Sequence, residues 1–261
     1  MNPVIRALER FHADRPWDHN AHYHPWILRQ LPTRFGRALD VGSGSGELAR
    51  LLASRAGAVR GVDVDPGMVE RARELTAPAA PVTFTVGDAR KELPPGRYDV
   101  VTCVATVHHM PFGDALARFR RHLAPGGRLV VVGLYRRRSW TDRLIDTAAI
   151  PANVAMAWIK NKGRHAPRPA AMTAPTRPAE MTFAEIVREA RRALPGARLR
   201  RRLFWRYTLV WHHRQTAATH TGVRGRGAGE SCPYVESGSH TPLTGHSDAL
   251  ASLPACSPDS A

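Results

Sequence analysis

Three glycines in five positions, Gly42, Gly44 and Gly46 of "DVGSGSGE", follow an acid, Asp40, at the end of an apolar run. A turn of this kind lets a ligand lie against bare main chain. The helix after it offers N–H groups and the positive end of its dipole to a carboxylate or phosphate. A dinucleotide fingerprint needs glycines at the first, third and sixth positions counted from Gly42, but the sixth is Glu47 and the glycines fall at one, three and five. Asp40 at the strand end suits a cationic ligand better than a pyrophosphate. Two further acids close apolar segments, Asp63 in "VRGVDVD" and Asp88 in "FTVGDAR". The pair His108 and His109 follows the apolar run "YDVVTCVATV", and histidine has the ordinary pKa to take a proton near neutrality. The alternative for the histidine pair is a structural turn, with His108 the better candidate base of the two.

The elements that must position these groups alternate along the chain. "RALDV", "AVRGVDV", "VTFTVGD", "YDVVTCVATV" and "GGRLVVVGLY" read as strands, and "GELARLLASRA", "PGMVERARELT" and "FGDALARFRRHL" as the helices between them. Asp65 is expected to cap the helix that opens at Pro66. This alternation predicts an α/β/α sandwich of Rossmann-like, doubly wound type, with a mostly parallel sheet. "ARLRRRLFWRYTLVW" predicts a final antiparallel strand pair. "NAHYHPWILRQL" predicts a short entrance helix, and "TFAEIVREARRAL" an amphipathic helix capped at Thr182 or a neighbour. A helical region over 139–160 is expected to kink or end at Pro151. The organisation read from this pattern is an entrance segment over 1–35, a main domain over 36–212 with an inserted cover at 139–180, and a tail over 213–261. The tail is rich in Ser, Thr, Gly, Pro and His and is expected to be disordered.

"LDVGSGSG" resembles motif I of the class I S-adenosylmethionine-dependent methyltransferases, and the later segments agree with that family in order and spacing over roughly residues 17 to 212. The resemblance implies S-adenosylmethionine as cofactor, held by Asp40, Gly42, Ser43, Gly44 and Gly46. It implies that Asp63 accepts both ribose hydroxyls and that Val64 and Met68 pack against the adenine. Asp88 and the Ala89 main chain would reach the adenine edge, and Val104 would border the methionine moiety. Tyr23 of the entrance segment would close over that end. His108 would be the base, and no metal is implied. The "ATVHH" stretch differs from the Asn-Pro-Pro-aromatic stretch of many amino-group and nucleic-acid-base methyltransferases. The resemblance therefore implies a small-molecule acceptor, similar to that of the ubiquinone and menaquinone C-methyltransferase group.

Composition bounds the alternatives. The formal charge is +16 over 261 residues, and the excess is almost wholly arginine. Clustered arginine is the electrostatic footprint of phosphate binding, but the same bias follows from an alanine-, glycine- and proline-rich coding composition, so a nucleic-acid partner is not expected. An RNA methyltransferase, a binding protein on the same fold and a nicotinamide oxidoreductase stay open as lesser readings. No run reaches the roughly 20 apolar residues of a membrane span, and the N-terminus lacks a secretory pattern, so a cytoplasmic protein is expected. The apolar helical region at 139–160, with arginines and lysines at its ends, allows peripheral contact with an anionic membrane. Cys103 lies in an apolar run, and Cys232 and Cys256 stand apart from it without metal or redox spacing.

Overall fold

Mostly short β-branched and apolar runs give seven strands in the computed structural model, which describes residues 11, 13–165 and 177–214. They are β1 (Phe35–Val41), β2 (Ala56–Asp63), β3 (Val82–Val86), β4 (Tyr98–Val104), β5 (Leu123–Leu134), β6 (Arg198–Arg202) and β7 (Arg206–His212). The helices are α1 (His24–Gln30), α2 (Glu47–Ala53), α3 (Pro66–Glu74), α4 (Phe112–His122), α5 (Trp140–Lys160) and α6 (Phe183–Ala193). The strands form one sheet in the order β3-β2-β1-β4-β5-β7-β6. Pairing is parallel from β3 through β5, and β7 runs antiparallel to both β5 and β6.

Alternation along the central strands sorts side chains to two cores. Ala38, Val100 and Val130 pack with Ile27 of α1, Leu48 and Leu52 of α2, and Val69 and Ala72 of α3. Leu39, Val101, Leu129 and Val131 pack on the other face with Leu116 and Phe119 of α4 and with Ile186 and Ala190 of α6. Cys103 is buried in that second core, and burial raises its thiol pKa well above the ordinary range. A smaller cluster joins Trp17, Ala157 of α5 and Phe204 of the β6–β7 hairpin.

The expected caps are present. Asp65 accepts from the Gly67 and Met68 N–H groups at the start of α3, and Thr182 forms a capping box with Glu185 on α6. Pro151 neither ends nor divides α5, which runs unbroken from Trp140 to Lys160. Its packing overrides the local cost of the proline: Ala149, Asn153 and Ala157 are buried, and Asn153 Oδ1 accepts from Trp17 Nε1 at 2.8 Å. Several arginines near the β6–β7 hairpin stack on aromatic rings within the chain. Arg137 stacks over Trp205, Arg202 over Trp26 and Arg201 over Phe183. The arginine-rich β6 forms a sheet edge, where charge discourages further strand pairing. Among the described residues no helix is long and apolar enough to cross a membrane. Residues 166–176 of the expected cover, and the expected tail beyond Arg214, lie outside the described residues.

The glycine turn is fixed partly by core packing. Gly46 has φ of +77°, and a Cβ there would sit 2.5 Å from Phe84 Cζ, a ring buried under β3. Gly46→Ala therefore combines a left-handed backbone cost with overpacking and should destabilise the fold by about 2–4 kcal/mol. Urea unfolding measures this, and a loss below about 1 kcal/mol would show that the Phe84 ring yields freely.

Candidate active site

In an open α/β sheet, ligands bind beyond the carboxyl ends of the strands, where the strand order reverses. Here β1 and β4 lie side by side at that point, and a cavity of about 760 Å³ opens there, within the size range of cofactor sites. Asp40, Gly42, Ser43, Gly44, Asp63, Val64, Asp88, Ala89, Val104 and His108 all line it. The crevice thus gathers residues from the ends of four parallel strands.

The glycines divide the work differently from the expectation of bare main chain facing a ligand. Gly42 has φ of +72°, and a Cβ there would fall 1.9 Å from Thr106 Oγ1, so this glycine lets the β1 and β4 loops touch. The N–H groups of Gly42 and Ser43 both donate to the Val62 carbonyl, at 2.8 and 3.1 Å. Gly44 alone faces open space, with no atom within 4 Å of its Cβ position. Its N–H donates to Asp63 Oδ2 at 2.8 Å. The other carboxylate oxygen, Oδ1, accepts from the Asp65 N–H at 3.0 Å. A carboxylate has about four lone-pair sites, so each oxygen of Asp63 can still accept one hydroxyl after these two bonds.

Asp40 is 2% exposed and accepts from Thr102 Oγ1 at 2.7 Å. Burial is the main cause that pushes its pKa up to about 6, with Asp63 adding a little, while the Thr102 bond and His24 oppose the shift. His24 is buried under the loop with Nδ1 3.7 Å from Glu47 Oε1. That Nδ1 and the hydroxyl of Ser43 are buried without a hydrogen-bond partner among the described residues. Orphaned polar atoms around an open glycine cradle are what a polar ligand would satisfy. The residues therefore fit a nucleoside cofactor carrying positive charge.

Asp88 lies on the wall but is gripped by Arg90, whose Nε and Nη2 donate to Oδ1 and Oδ2 at 2.9 and 2.8 Å. The guanidinium fork holds its pKa down to about 2. Three expected contacts do not reach the cavity lining. Tyr23 is buried against the α1 side of the sheet, and its hydroxyl donates to the Leu203 carbonyl at 2.6 Å. Its neighbour His24 lines the cavity instead, because the 3-10 turn over Ala21–Tyr23 swings consecutive side chains apart. Gly46 turns to Phe84, and Met68 is represented on α3 by its capped N–H.

His108 and His109 stack with ring centroids 4.0 Å apart in a 3-10 turn over Val107–His109. Burial, then His109 and Arg206, drive the His108 pKa down to about 4. Its Nδ1 is buried and finds no partner at hydrogen-bond geometry among the described residues, although the Arg177 main chain is near enough to raise the pKa slightly. The ring is therefore neutral at pH 7, an acceptor or donor of hydrogen bonds and a weaker base than its residue type suggests. Asn20 of the entrance segment and Arg206 of the arginine-rich strand pair also line the cavity.

A methyltransferase domain model matches residues 39–131. A methyltransferase of Mycobacterium tuberculosis is 33% identical over 210 residues, covering 76% of this chain and 98% of its own. The chain belongs to the S-adenosylmethionine-dependent methyltransferases. A 2-methyl-6-phytyl-1,4-hydroquinone methyltransferase of Synechocystis is 39% identical to this enzyme over 118 residues, 44% of this chain and 35% of its own. Among solved structures, magnesium protoporphyrin IX methyltransferase from Synechocystis PCC 6803 with bound SAH aligns at a TM-score of 0.49 and 18% identity, over 82% of this chain and 88% of its own.

The buried acid of this methyltransferase gives its stability a distinct pH signature. Because the folded pKa of Asp40 lies above its unfolded value, the protonated form is favoured by folding. That contribution, about 3 kcal/mol by linkage, is complete below about pH 4 and lost as pH rises through about 6. Asp40→Asn should match the parent near pH 4 and exceed its stability at pH 8. Urea unfolding at both pH values checks this, and a parent-to-variant difference that does not change with pH would place Asp40 in contact with water.

Proposed function

We propose that this enzyme holds S-adenosylmethionine in the main cavity and methylates a small aromatic acceptor seated beyond His108. The observation that carries this reading is a second, smaller cavity of about 160 Å³ that shares His108, Met110 and Leu134 with the first. Its other walls include Phe112, Ile186 and Tyr207. A dry apolar cavity of about 150 Å³ is large enough for a benzene ring, so the annex is of ring size. The relative named for a hydroquinone supports an aromatic acceptor.

When bound, the cofactor supplies an electrophilic methyl group on a sulfonium. The chain's own residues act around it. Asp63 accepts the ribose hydroxyls on its two remaining lone pairs, and Gly44 leaves room for the sugar. Val64, 62% exposed beside Asp63, gives the base an apolar floor. Asp40 and Glu47 place negative charge near the cationic end. Asp88 reaches the base edge only by sharing its carboxylate with Arg90. The annex would orient the ring toward the methyl donor, and orientation of this kind is worth roughly 7–11 kcal/mol of barrier. His108, neutral and at the junction of the two cavities, accepts a hydrogen bond from a hydroxyl on that ring. Asp18, His19, Asn20 and His24 of the entrance segment wall the main cavity on one side, and Arg177 walls it on another.

Asp63→Ala should weaken cofactor binding by more than about tenfold, because a doubly held acceptor is lost. Isothermal calorimetry with S-adenosylhomocysteine measures it, and an unchanged affinity removes Asp63 from the site. His108→Gln should lower kcat by about a hundredfold and leave that affinity unchanged. The parent's kcat should show no acidic limb above about pH 5, given the low pKa of the imidazole. Labelled methyl transfer into a panel of hydroxylated aromatics tests the acceptor class, and transfer confined to RNA or protein would overturn it.

A further inference from the structure

Arg206 opens β7 at the carboxyl edge of the parallel strands, paired in register with Leu134, and its side chain lines the main cavity. Its Nε and Nη2 donate to Asn20 Oδ1 at 3.2 and 2.9 Å, and its Nη1 to the Phe204 carbonyl at 3.1 Å. A guanidinium has five N–H donors, so among the described residues one on Nη1 and one on Nη2 stay open. All of its acceptors are neutral. Arg90 on the opposite wall has Asp88 at 2.8 Å, and Arg201 on the next strand has Asp142 at 3.2 Å. Arg206 has no such ion pair among the described residues. Asp18 is the acid that bears on it, and that carboxylate is already capping the N–H groups of Asn20 and Ala21 at 2.7 and 3.2 Å.

The acids of the cavity include Asp18 near Arg206, but the histidine side of it is positive. Arg206 helps to depress His108, and Arg177 with Arg90 helps to depress His109. A partly buried cation without a counter-ion is costly unless a ligand supplies one. Two open N–H groups at neighbouring corners of a planar fork suit a bidentate oxyanion. Asn20 fixes the plane of that fork, and Asp18 fixes Asn20.

We propose that Arg206, oriented by Asn20, is a receptor for a carboxylate that a ligand carries into the cavity. The carboxylate is either an acid group on the acceptor or the amino-acid carboxylate of the cofactor. The inference rests on the cavity being the cofactor and acceptor site, and the test separates the two claims. Calorimetry on the full chain compares S-adenosylhomocysteine with its decarboxylated analogue, and benzoate with benzyl alcohol in the presence of S-adenosylhomocysteine. At least one pair should favour the carboxylate by about tenfold or more in the parent. Arg206→Met should abolish that preference and Arg206→Lys should keep only part of it. A preference confined to the nucleoside pair assigns the receptor to the cofactor, and one confined to the benzoate pair assigns it to the acceptor. Indifference of the parent to both carboxylates, which needs no variant to observe, overturns the proposal, as does a preference that survives in Arg206→Met. If S-adenosylhomocysteine binds through Asp63 and neither carboxylate matters, the receptor alone falls. If it does not bind the parent at all, the cavity reading falls with it.

Discussion

One carboxylate ties the glycine-loop side of the crevice together. Asp63 ends β2, yet its oxygens hold the Gly44 N–H from the loop after β1 and the Asp65 N–H from the turn into α3. Two loops from different strands therefore take their position from one side chain. That side chain also lines the crevice, and after these two bonds it keeps acceptor capacity. Charge-assisted bonds to main-chain N–H groups are the stronger kind, which keeps this geometry set before any ligand arrives.

The side of the cavity walled by the entrance segment is assembled from farther apart. The entrance segment is stitched to the rest by Trp17 and His19 on Asn153 of α5, by Tyr23 on the Leu203 carbonyl and by Asn20 under Arg206. The β6–β7 hairpin that receives it places both Phe204 and Trp205 at positive φ, 59° and 61°. Left-handed backbone at a bulky residue costs about 1–2 kcal/mol. Packing of Phe204 edge-on against Trp17, with centroids 4.8 Å apart, offsets part of it. The tip is held in this form by the segment it covers.

Much of this was legible in the sequence, for identifiable reasons. Strand alternation and the caps at Asp65 and Thr182 depend on neighbours within a few residues, and both were read correctly. The glycine turn was located, but not that Gly42 and Gly46 also make room for Thr106 and Phe84, which lie far along the chain. Pro151 misled because helix propensity is a local cost that the packing of Asn153 and Ala157 outweighs. Tyr23 was expected at the cavity, but its hydroxyl bonds the Leu203 carbonyl, 180 residues away, and its neighbour His24 lines the cavity. Arg206 was not singled out. Its partner Asn20 is 186 residues away, and one arginine among so many has no distinguishing mark.

The acid at Asp40 has a calorimetric corollary. Below about pH 6 the empty pocket carries a proton there, and a ligand that brings positive charge to that wall must expel it. Heat evolved on mixing would then vary with the ionisation enthalpy of the buffer chosen, and the number of protons released would shrink toward zero in alkaline solution. A single buried oxygen pair thereby couples occupancy of the crevice to the acidity of the medium.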